Sequence, residues 1–257
     1  MYKVSIITVV RNDANGIQKT INSVRDQTYP NLEHVVIDGQ SNDGTLEIIN
    51  KNSAIIYKWI SEPDNGLFDA MNKGLELVTG DWLIFMNSGH VFYNARTIAN
   101  VFNSELIKNH DIIYGDVAYQ FKFGDIIKRA SAVSTLWKGM SFAHQSTFIK
   151  TKLFKQFKYN VNYKFASDFD LFYNLYKSKY KFGYVNVVVS KRKSTGNTDS
   201  NIIKSTLERY KIVKQEEHTV KIHLYYILLV MKYMFRKLVP RLVLEKYYQI
   251  RYRSRTL

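Results

Sequence analysis

Short apolar runs alternate with amphipathic stretches along roughly the first 90 residues of the chain. The runs are rich in β-branched residues and bounded by turn residues, which predicts buried strands over residues 4–10, 32–37, 55–60 and 81–86. Apolar residues recur every three or four positions in the intervening stretches, which predicts helices over residues 17–27, 45–51 and 67–78. This alternation indicates βαβ units, so we expect an α/β fold with a mostly parallel central sheet flanked by helices.

The second half of the chain is less regular, and its last part changes character. Helices are predicted over residues 94–109 and 168–177, and a basic loop over 191–200; strands are predicted over 111–119, 124–129, 142–149 and 181–190. Beyond residue 203, a charged helical stretch precedes an apolar, aromatic one that lysine and arginine interrupt. We therefore expect an α/β domain over residues 1–200 and a helical, amphipathic, basic extension over residues 201–257.

Polar residues follow the predicted strands at one edge of the sheet. Asp38 ends the second strand, and Asn87, Ser88 and His90 follow the central one. Ligands of open α/β sheets bind at the carboxyl ends of the strands, so this edge is the expected substrate site. The loops after the first two strands are rich in Asp, Asn and Gly, which suits a nucleotide or another phosphorylated ligand. The chain has neither a Gly-x-Gly-x-x-Gly fingerprint nor a Walker A sequence.

The composition narrows the chemistry further. With 257 residues and 46% hydrophobic content, the chain can bury one substantial core. It contains no cysteine, which excludes disulfides, thiolate metal sites and cysteine nucleophiles and suits a reducing compartment. We find no secretory signal pattern, and no segment offers the ~20 apolar residues needed to span a bilayer. The expected location is cytoplasmic, with peripheral attachment to the inner face of the cell membrane.

The positive charge is concentrated toward the end of the chain. The net charge is +15, and the residues from 203 onward hold 13 Lys and Arg against 4 Asp and Glu. Tyr247, Tyr248 and Tyr252 alternate there with basic residues, which suits an amphipathic helix on an anionic membrane surface. Core packing or a dimer interface is the alternative use of these aromatic residues. No recognisable nucleic-acid module accompanies the charge, so we expect no nucleic-acid partner.

Five segments of the chain together resemble family 2 glycosyltransferases. They are residues 4–8, 35–45, 61–74, 79–81 and 86–89, which read VSIIT, VVIDGQSNDGT, SEPDNGLFDAMNKG, TGD and MNSG. The resemblance is to bacterial enzymes that build O-antigen, capsule or colanic-acid polysaccharide, and it covers about residues 3–200. It implies a GT-A fold, a nucleoside-diphosphate-sugar donor (commonly a UDP-sugar), and a divalent metal, Mn²⁺ or Mg²⁺. It also implies inverting transfer to a hydroxyl of a lipid-linked or growing polysaccharide acceptor.

The resemblance implies roles for residues on the donor side. Asp38 matches the acidic residue that hydrogen-bonds the nucleotide base, and Thr8 and Arg11 belong to a loop that lines the same pocket. The other residues expected to contact the donor are Asp64, Asp69, Lys73, Asn87 and Ser88. Simpler roles stay open: Asp38 could cap the turn after its strand, and Asp69 and Lys73 could form an ordinary i,i+4 ion pair.

The resemblance also implies roles on the acceptor side. Asp168 matches the catalytic base, and Asp170 in the same helical turn is the alternative. His144 and Gln145 match a short motif near the acceptor. A simpler role is open here too, because Asp168 could cap a helix and His144 could be a core histidine with satisfied hydrogen bonds.

One position departs from the family pattern. Relatives of this branch usually read Asn-Ser-Gly-Asp at the metal motif, and here the fourth residue is His90. Imidazole suits Mn²⁺ better than Mg²⁺, so His90 is a candidate metal ligand. The alternatives are a metal held mainly by the diphosphate, or an impaired, non-catalytic protein that binds nucleotide sugars in the same pathway.

A basic run offers a second source of positive charge. Lys191, Arg192 and Lys193 begin the segment 191–197, which matches a mobile loop that closes over the donor in the family. Such a run is usually a solvated loop, but its place after the last core strand makes phosphate contact a reasonable expectation.

Overall fold

The computed structural model describes residues 1–121, 123–194 and 201–238. In these ranges nine strands form one sheet, and helices pack on both of its faces. The strands are β1 (Val4–Val10), β2 (Leu32–Asp38), β3 (Lys58–Ser61), β4 (Trp82–Phe85), β5 (Val91–Phe92), β6 (Ile112–Phe121), β7 (Gly124–Lys128), β8 (Thr147–Lys150) and β9 (Phe182–Lys193). The helices are α1 (Ala14–Arg25), α2 (Thr45–Lys51), α3 (Leu67–Leu77), α4 (Thr97–Phe102), α5 (Leu106–Asn109), α6 (Thr151–Phe157), α7 (Ser167–Lys177), α8 (Ile202–Glu216) and α9 (Val220–Leu238).

The strand order of the sheet is β3-β2-β1-β4-β8-β6-β9-β5, with β7 paired to β6 outside that path. Strands β1 to β4 run parallel to one another, which is the part in which βαβ units are predicted. The other half is mixed, because β8 is antiparallel to both β4 and β6, whereas β9 is parallel to β6. The predicted α/β class with a central sheet flanked by helices is confirmed.

The central strand β4 is buried on both faces, as its uninterrupted apolar run predicts. Leu83 and Phe85 face the core that contains α3 and α7, and Trp82 and Ile84 face the opposite core, which contains α4. The strand ends where polar residues begin at Asn87. The polar turn after β4 therefore lies at the same edge of the sheet as the carboxyl ends of β1 and β2.

Several predicted bounds in the second half are wrong. The helix expected over residues 94–109 is two short helices, α4 and α5, and α6 is not predicted at all. The strand expected over residues 142–149 starts only at Thr147, because His144–Ser146 forms a 3-10 turn. Residues 191–193 lie in strand β9 rather than in a loop, because β5 and β6 both pair with that end of the strand.

The first two helices of the extension pack on the α/β domain. Ile212 and Val213 of α8 and Ile222 and Tyr226 of α9 are buried in the same core as α7. The Tyr226 hydroxyl donates a hydrogen bond of 2.9 Å to the carbonyl oxygen of Trp137. None of the helices described here has both the length and the apolar character required to cross a bilayer. The tail residues singled out in the sequence lie outside the described residues: Tyr247, Tyr248 and Tyr252.

Candidate functional site

The loops that follow β1 and β2 are bound to each other. Asn12 and Gln40 have positive φ angles of 51° and 57°, which few residues other than glycine adopt. The Asn12 N–H donates to Ser41 Oγ at 2.8 Å, and the Asn42 N–H donates to Asn12 Oδ1 at 2.9 Å. Neither Asn12 nor Gln40 was identified from the sequence. Two of the four described non-glycine residues with positive φ thus lie in these loops, and the other two, Lys158 and Lys179, lie elsewhere.

Asp38 lies at the end of β2 and is fully buried. Its carboxylate accepts hydrogen bonds from the Ser41 N–H at 2.9 Å, from the Ser41 hydroxyl and from the Ser61 hydroxyl at 2.6 Å. These hydrogen bonds use three of the carboxylate's roughly four acceptor positions, and the side chain has no exposed surface. The arrangement holds the Asp38 carboxylate in one orientation at the edge of the sheet.

Thr8 is buried inside the sheet rather than exposed at its edge. Its hydroxyl donates to the Met86 carbonyl oxygen at 2.8 Å and accepts from His34 Nε2 at 2.9 Å. Burial lowers the pKa of His34 to about 4, so the ring is neutral at pH 7. The hydroxyl of Thr8 therefore joins β1, β2 and β4 underneath the candidate site.

Arg11 and Asp64 meet above Gly39, next to Asp38. A side chain at Gly39 would collide with the Asp64 carboxylate and would lie 3.4 Å or less from the side chain of Arg11. Glycine at this position leaves room for both side chains close to the backbone. Arg11, which is exposed, and Asp64, which is half-buried, thus form a polar wall beside the buried Asp38 carboxylate.

Asp69 and Lys73, expected to bind the donor, are engaged within the loop before α3 and on that helix. Asp69 accepts a hydrogen bond from the Asn65 N–H at 2.9 Å, and Lys73 forms an ion pair of 2.7 Å with Glu62. Asp69 and Lys73 are themselves 3.8 Å apart, as the i,i+4 spacing predicts. These contacts stabilise the loop between β3 and α3.

The polar turn after β4 is anchored on α1. Ser88 Oγ donates to Asp13 Oδ2 at 2.7 Å, and Asp13 also caps α1 by accepting from the Gly16 N–H at 3.0 Å. Thr20 Oγ1 donates to the His90 carbonyl oxygen at 2.8 Å. Asp13 was not identified from the sequence as a site residue, although an Asp immediately before a helix is a recognisable capping signal.

Two side chains of this turn have buried polar atoms that no described residue hydrogen-bonds, Asn87 Oδ1 and His90 Nδ1. The pKa of His90 is lowered to about 3, first by burial and then by the positive charge of Arg192 and by His144. The imidazole of His90 is therefore neutral at pH 7, and its ring lies within electrostatic reach of both residues.

Arg192 and Lys191 point in different directions from the end of β9, as neighbours in a strand do. The guanidinium of Arg192 lies 5.0 Å from the ring centroid of Tyr119, and its Nε is buried with no hydrogen-bond partner in the described ranges. Lys191 instead pairs with Asp125 of β7 at 3.4 Å. Arg192 thus lies within electrostatic reach of His90. The rest of the expected mobile segment, from residue 195 to residue 197, lies outside the described residues.

Asp168 lies in the first turn of α7 and forms a pair with His144. His144 Nδ1 is 3.2 Å from Asp168 Oδ2, and Asp168 Oδ1 accepts from the Phe169 N–H at 2.8 Å. The side chains of His144 and Asp168 are only 14% and 19% exposed. His144 Nε2 is buried and has no hydrogen-bond partner among the described residues. The His144–Asp168 pair is the candidate basic group of the site.

Asp170 and Gln145, both expected on the acceptor side, are buried. Asp170 accepts a hydrogen bond from Asn174 Nδ2 at 3.2 Å, and burial raises the pKa of its carboxyl group. Asp170 therefore takes part in a local contact within α7. Of the two acidic residues in this turn, Asp168 is the one bound to the side chain of His144.

Few side chains in the described part of the site could bind a divalent metal. Among the described residues, no three His, Cys, Asp or Glu side chains come together as a metal-binding group. Asn87 Oδ1 and His90 Nδ1 are nevertheless buried, unpartnered and in one turn. A neutral imidazole and an amide oxygen fit a cation such as Mn²⁺ that takes its other ligands from a diphosphate.

The sequence of this chain is similar to those of known glycosyltransferases. Residues 5–174 match the model of glycosyl transferase family 2. The chain belongs to glycosyl transferase family 2. A relative from Mycobacterium bovis (strain BCG / Pasteur 1173P2), the PGL/p-HBAD biosynthesis glycosyltransferase, is 31% identical over 213 residues, which cover 77% of this chain and 80% of the relative. The predicted family and the assignment as a glycosyltransferase are confirmed.

Solved structures of other proteins with a similar fold are consistent with this assignment. S. aureus TarS 1–349 in complex with UDP-GlcNAc matches with a TM-score of 0.68 at 15% identity, over 87% of this chain and 70% of that one. A longer TarS chain matches over only 40% of its length. The mannosyltransferase PcManGT from Pyrobaculum calidifontis, in complex with GDP-Man and Mn²⁺, matches with a TM-score of 0.66 at 17% identity, over 90% and 69%. At these identities the likeness establishes the fold, and the expected GT-A fold is confirmed.

Proposed function

We propose that this protein is an inverting glycosyltransferase. It moves a sugar from a nucleoside-diphosphate-sugar to a hydroxyl of a lipid-linked or growing polysaccharide. A UDP-sugar is the first candidate for the donor. One observation carries the proposal. Four of the six buried side-chain polar atoms that lack a partner in the described residues belong to Asn87, His90, His144 and Arg192. Buried polar groups are normally hydrogen-bonded, so this concentration indicates a site that a polar ligand completes.

The nucleoside part of the donor would lie at the ends of β1 and β2. A base N–H would use the remaining acceptor position of the Asp38 carboxylate, and Arg11 and Asp64 form the adjacent polar wall. Complexes of similar folds support a donor of this class, since TarS 1–349 is bound to UDP-GlcNAc and PcManGT to GDP-Man. In this proposal Thr8, Asp69 and Lys73 act by holding the edge and its loops in place.

The diphosphate would lie between the turn after β4 and the end of β9. Negative charge develops on its oxygens as the bond to the sugar breaks, and positive charge fixed nearby lowers that barrier. Arg192 supplies such a charge. A divalent cation on the diphosphate, with Asn87 and His90 as its ligands from this chain, would stabilise the same charge when bound. PcManGT, bound to GDP-Man and Mn²⁺, supports a metal in this role.

The acceptor would approach from the side of α7. Its hydroxyl is a weak nucleophile and must lose a proton as it attacks the sugar, which requires a basic group within hydrogen-bond reach. The His144–Asp168 pair provides that group, and Asp170 and Gln145 lie behind it. Attack from the face opposite the diphosphate inverts the anomeric centre.

Attachment to the inner face of the membrane rests on α9. One side of this helix packs on the core, and the other carries an exposed apolar row, the α9 stripe, which consists of Val220, Leu224, Ile227, Leu228, Met231, Met234 and Phe235. These residues are 45% to 81% exposed and recur at helical spacing. The basic surplus of the extension complements an anionic lipid surface. We therefore propose that residues 201–257 join the transferase domain to the membrane on which a lipid-linked acceptor resides.

The proposal is tested by donor turnover in two neighbouring variants. The wild-type protein is incubated with UDP-GlcNAc, UDP-glucose, UDP-galactose or GDP-mannose, with and without Mn²⁺, and released nucleoside diphosphate is measured. We expect release from at least one donor, a loss of roughly 10²- to 10⁴-fold in Asp168→Asn, and near wild-type release in Asp170→Asn. No release from any donor by wild-type protein would contradict the proposed function. Equal rates in Asp168→Asn and wild type would remove Asp168 from the mechanism.

A further inference from the structure

Opposite an ionised Asp168 carboxylate, the His144 nitrogen that faces it is the one that carries hydrogen. An ionised carboxylate can only accept hydrogen bonds, so His144 Nδ1, at 3.2 Å from Asp168 Oδ2, must be the donor. In the neutral imidazole the other nitrogen, Nε2, then has a free lone pair. The pair with Asp168 thus leaves Nε2 as an acceptor without a hydrogen.

His144 Nε2 accepts no hydrogen bond from the part of the chain that the structure describes. The atom is buried and no side chain or backbone group in the described residues bonds to it. A buried acceptor without a partner is costly, and such atoms in functional sites are completed by a ligand. The ligand group that fits this lone pair is an O–H or N–H donor. A sugar hydroxyl is a group of that kind.

Each oxygen of the Asp168 carboxylate accepts one hydrogen bond. Oδ1 accepts from the Phe169 N–H at 2.8 Å, and Oδ2 accepts from His144. Asp168 also lies in the first turn of α7, where the helix N-terminus stabilises negative charge. A carboxylate held in this way is well placed to stabilise a positive imidazolium beside it.

We propose that His144 Nε2 is the atom that takes the proton from the acceptor hydroxyl, and that Asp168 orients the imidazole and stabilises its charged form. This inference rests on the proposed function and specifies its base. It changes the role that the resemblance implies, because the carboxylate acts through the histidine rather than directly on the substrate.

The step balances without a further reactant. The acceptor oxygen forms a bond to the anomeric carbon of the donor sugar, and the bond from that carbon to the diphosphate oxygen breaks. The nucleoside diphosphate leaves with the electron pair of the broken bond. The hydroxyl proton passes to His144 Nε2, and the resulting imidazolium returns it to water after the product has left.

The charges around the pair are compatible with a transient imidazolium. Asp168 supplies a negative charge in direct contact, and the buried hydroxyl of Tyr159 lies on the Asp168 side. The neutral His90 lies within electrostatic reach of both His144 and the positive Arg192. The diphosphate of a bound donor would compensate for Arg192. Once the proton has reached His144, the positive imidazolium and the negative Asp168 together therefore have no net charge.

Asparagine at position 144 separates the two roles of the histidine. Its amide N–H₂ can take the place of the Nδ1 donor to Asp168, but no atom can take the place of Nε2. We measure nucleoside-diphosphate release from UDP-GlcNAc, UDP-glucose, UDP-galactose and GDP-mannose with water as the acceptor, together with the donor KM. We expect His144→Asn to lower kcat by roughly 10²- to 10⁴-fold with a donor KM within about threefold of wild type.

Chemical rescue distinguishes a proton acceptor from a structural residue. We expect added imidazole to raise the rate of His144→Gly in a saturable way, and to have no such effect on the double variant His144→Gly/Asp168→Asn. His110→Asn is the matched control, because His110 also uses its Nδ1 in a hydrogen bond, to the Leu106 carbonyl oxygen, but lies away from the site. We expect this control to keep the wild-type rate.

The outcomes separate this inference from the proposed function. Wild-type turnover combined with a slow His144→Asn and rescue of His144→Gly supports His144 as the proton acceptor. If the wild type turns over donor and His144→Asn keeps that rate within a few-fold, the inference is overturned. The base would then be Asp168. Loss of activity in both histidine variants without rescue would overturn it as well, by making His144 structural. Absence of turnover in the wild-type protein counts against the proposed function itself.

Discussion

Replacing Glu33 with glutamine tests how strongly one buried carboxylate stabilises the scaffold beneath the site. Glu33 lies in β2, at the end opposite Asp38, and its side chain is 1% exposed. It pairs with Lys3 at 2.6 Å and accepts from the Thr79 N–H at 2.6 Å, the Gly80 N–H at 3.0 Å and the Ser5 hydroxyl. These contacts join β1, β2 and the loop before β4.

The expected magnitude follows from the pKa of Glu33. Burial alone would raise this pKa, but hydrogen bonds from Lys3, Ser5 and Thr79 outweigh it and lower the pKa from 4.5 to about 2. A difference of about 2.5 pKa units corresponds to about 3 kcal/mol of folding free energy. The folded-state pKa lies below the unfolded one, so this stabilisation is complete above pH 4.5 and is lost as the pH falls toward 2.

The assay is urea denaturation of wild type and Glu33→Gln at pH 7 and at lower pH. We expect the variant to be less stable by about 3 kcal/mol at pH 7, and the difference to shrink steadily below pH 4.5. The matched control is Glu105→Gln, whose exposed pair with Lys108 should contribute nothing measurable. A difference at pH 7 no larger than that of the control, or one that does not change with pH, would refute the reasoning.

Three further predictions concern the site and the extension. Arg192→Lys should weaken binding of UDP by roughly tenfold in calorimetry, because lysine lacks the planar guanidinium, whereas Lys193→Gln at an exposed position should not. Phe235→Asp in the α9 stripe should lower co-sedimentation with vesicles of anionic lipid by roughly tenfold or more, and Leu207→Asp, exposed on α8, should leave it unchanged. The pKa of the buried His34 is about 4. The protein should therefore lose up to about 3 kcal/mol of folding free energy as the pH falls from 6.5 to 4. His34→Gln should remove this pH dependence in urea denaturation.

The first half of the fold was predictable because its signals are local. β1, β2 and β4 are apolar runs buried on both faces, and the helices between them show a clear period. The polar residues at the strand ends follow from the same pattern, so Asp38 and the turn after β4 are found from sequence. The resemblance then adds Asp168 and His144, which no periodicity singles out.

The rest depended on contacts between residues far apart in the chain. Asp13 reaches the site by accepting from Ser88, and Asp168 meets His144 only because the 3-10 turn and the start of α7 converge. The role of Thr8 inside the sheet follows from its bonds to two other strands. Lys191 and Arg192 were expected in a loop, but pairing of β9 with β5 and β6 extends the strand and separates their directions.

The most direct test of the account is whether the edge of the sheet binds a nucleotide. The melting temperature of the protein is measured with UDP, GDP and dTDP, each with Mn²⁺, with Mg²⁺ and with chelator. A nucleotide present at about 100 times its Kd should stabilise the protein by about 2.7 kcal/mol, a rise of roughly 5–10 °C. The account predicts such a rise with at least one nucleotide, UDP first, and a larger one with Mn²⁺ than with chelator. No rise with any of the three nucleotides, in the presence of either metal, would contradict it.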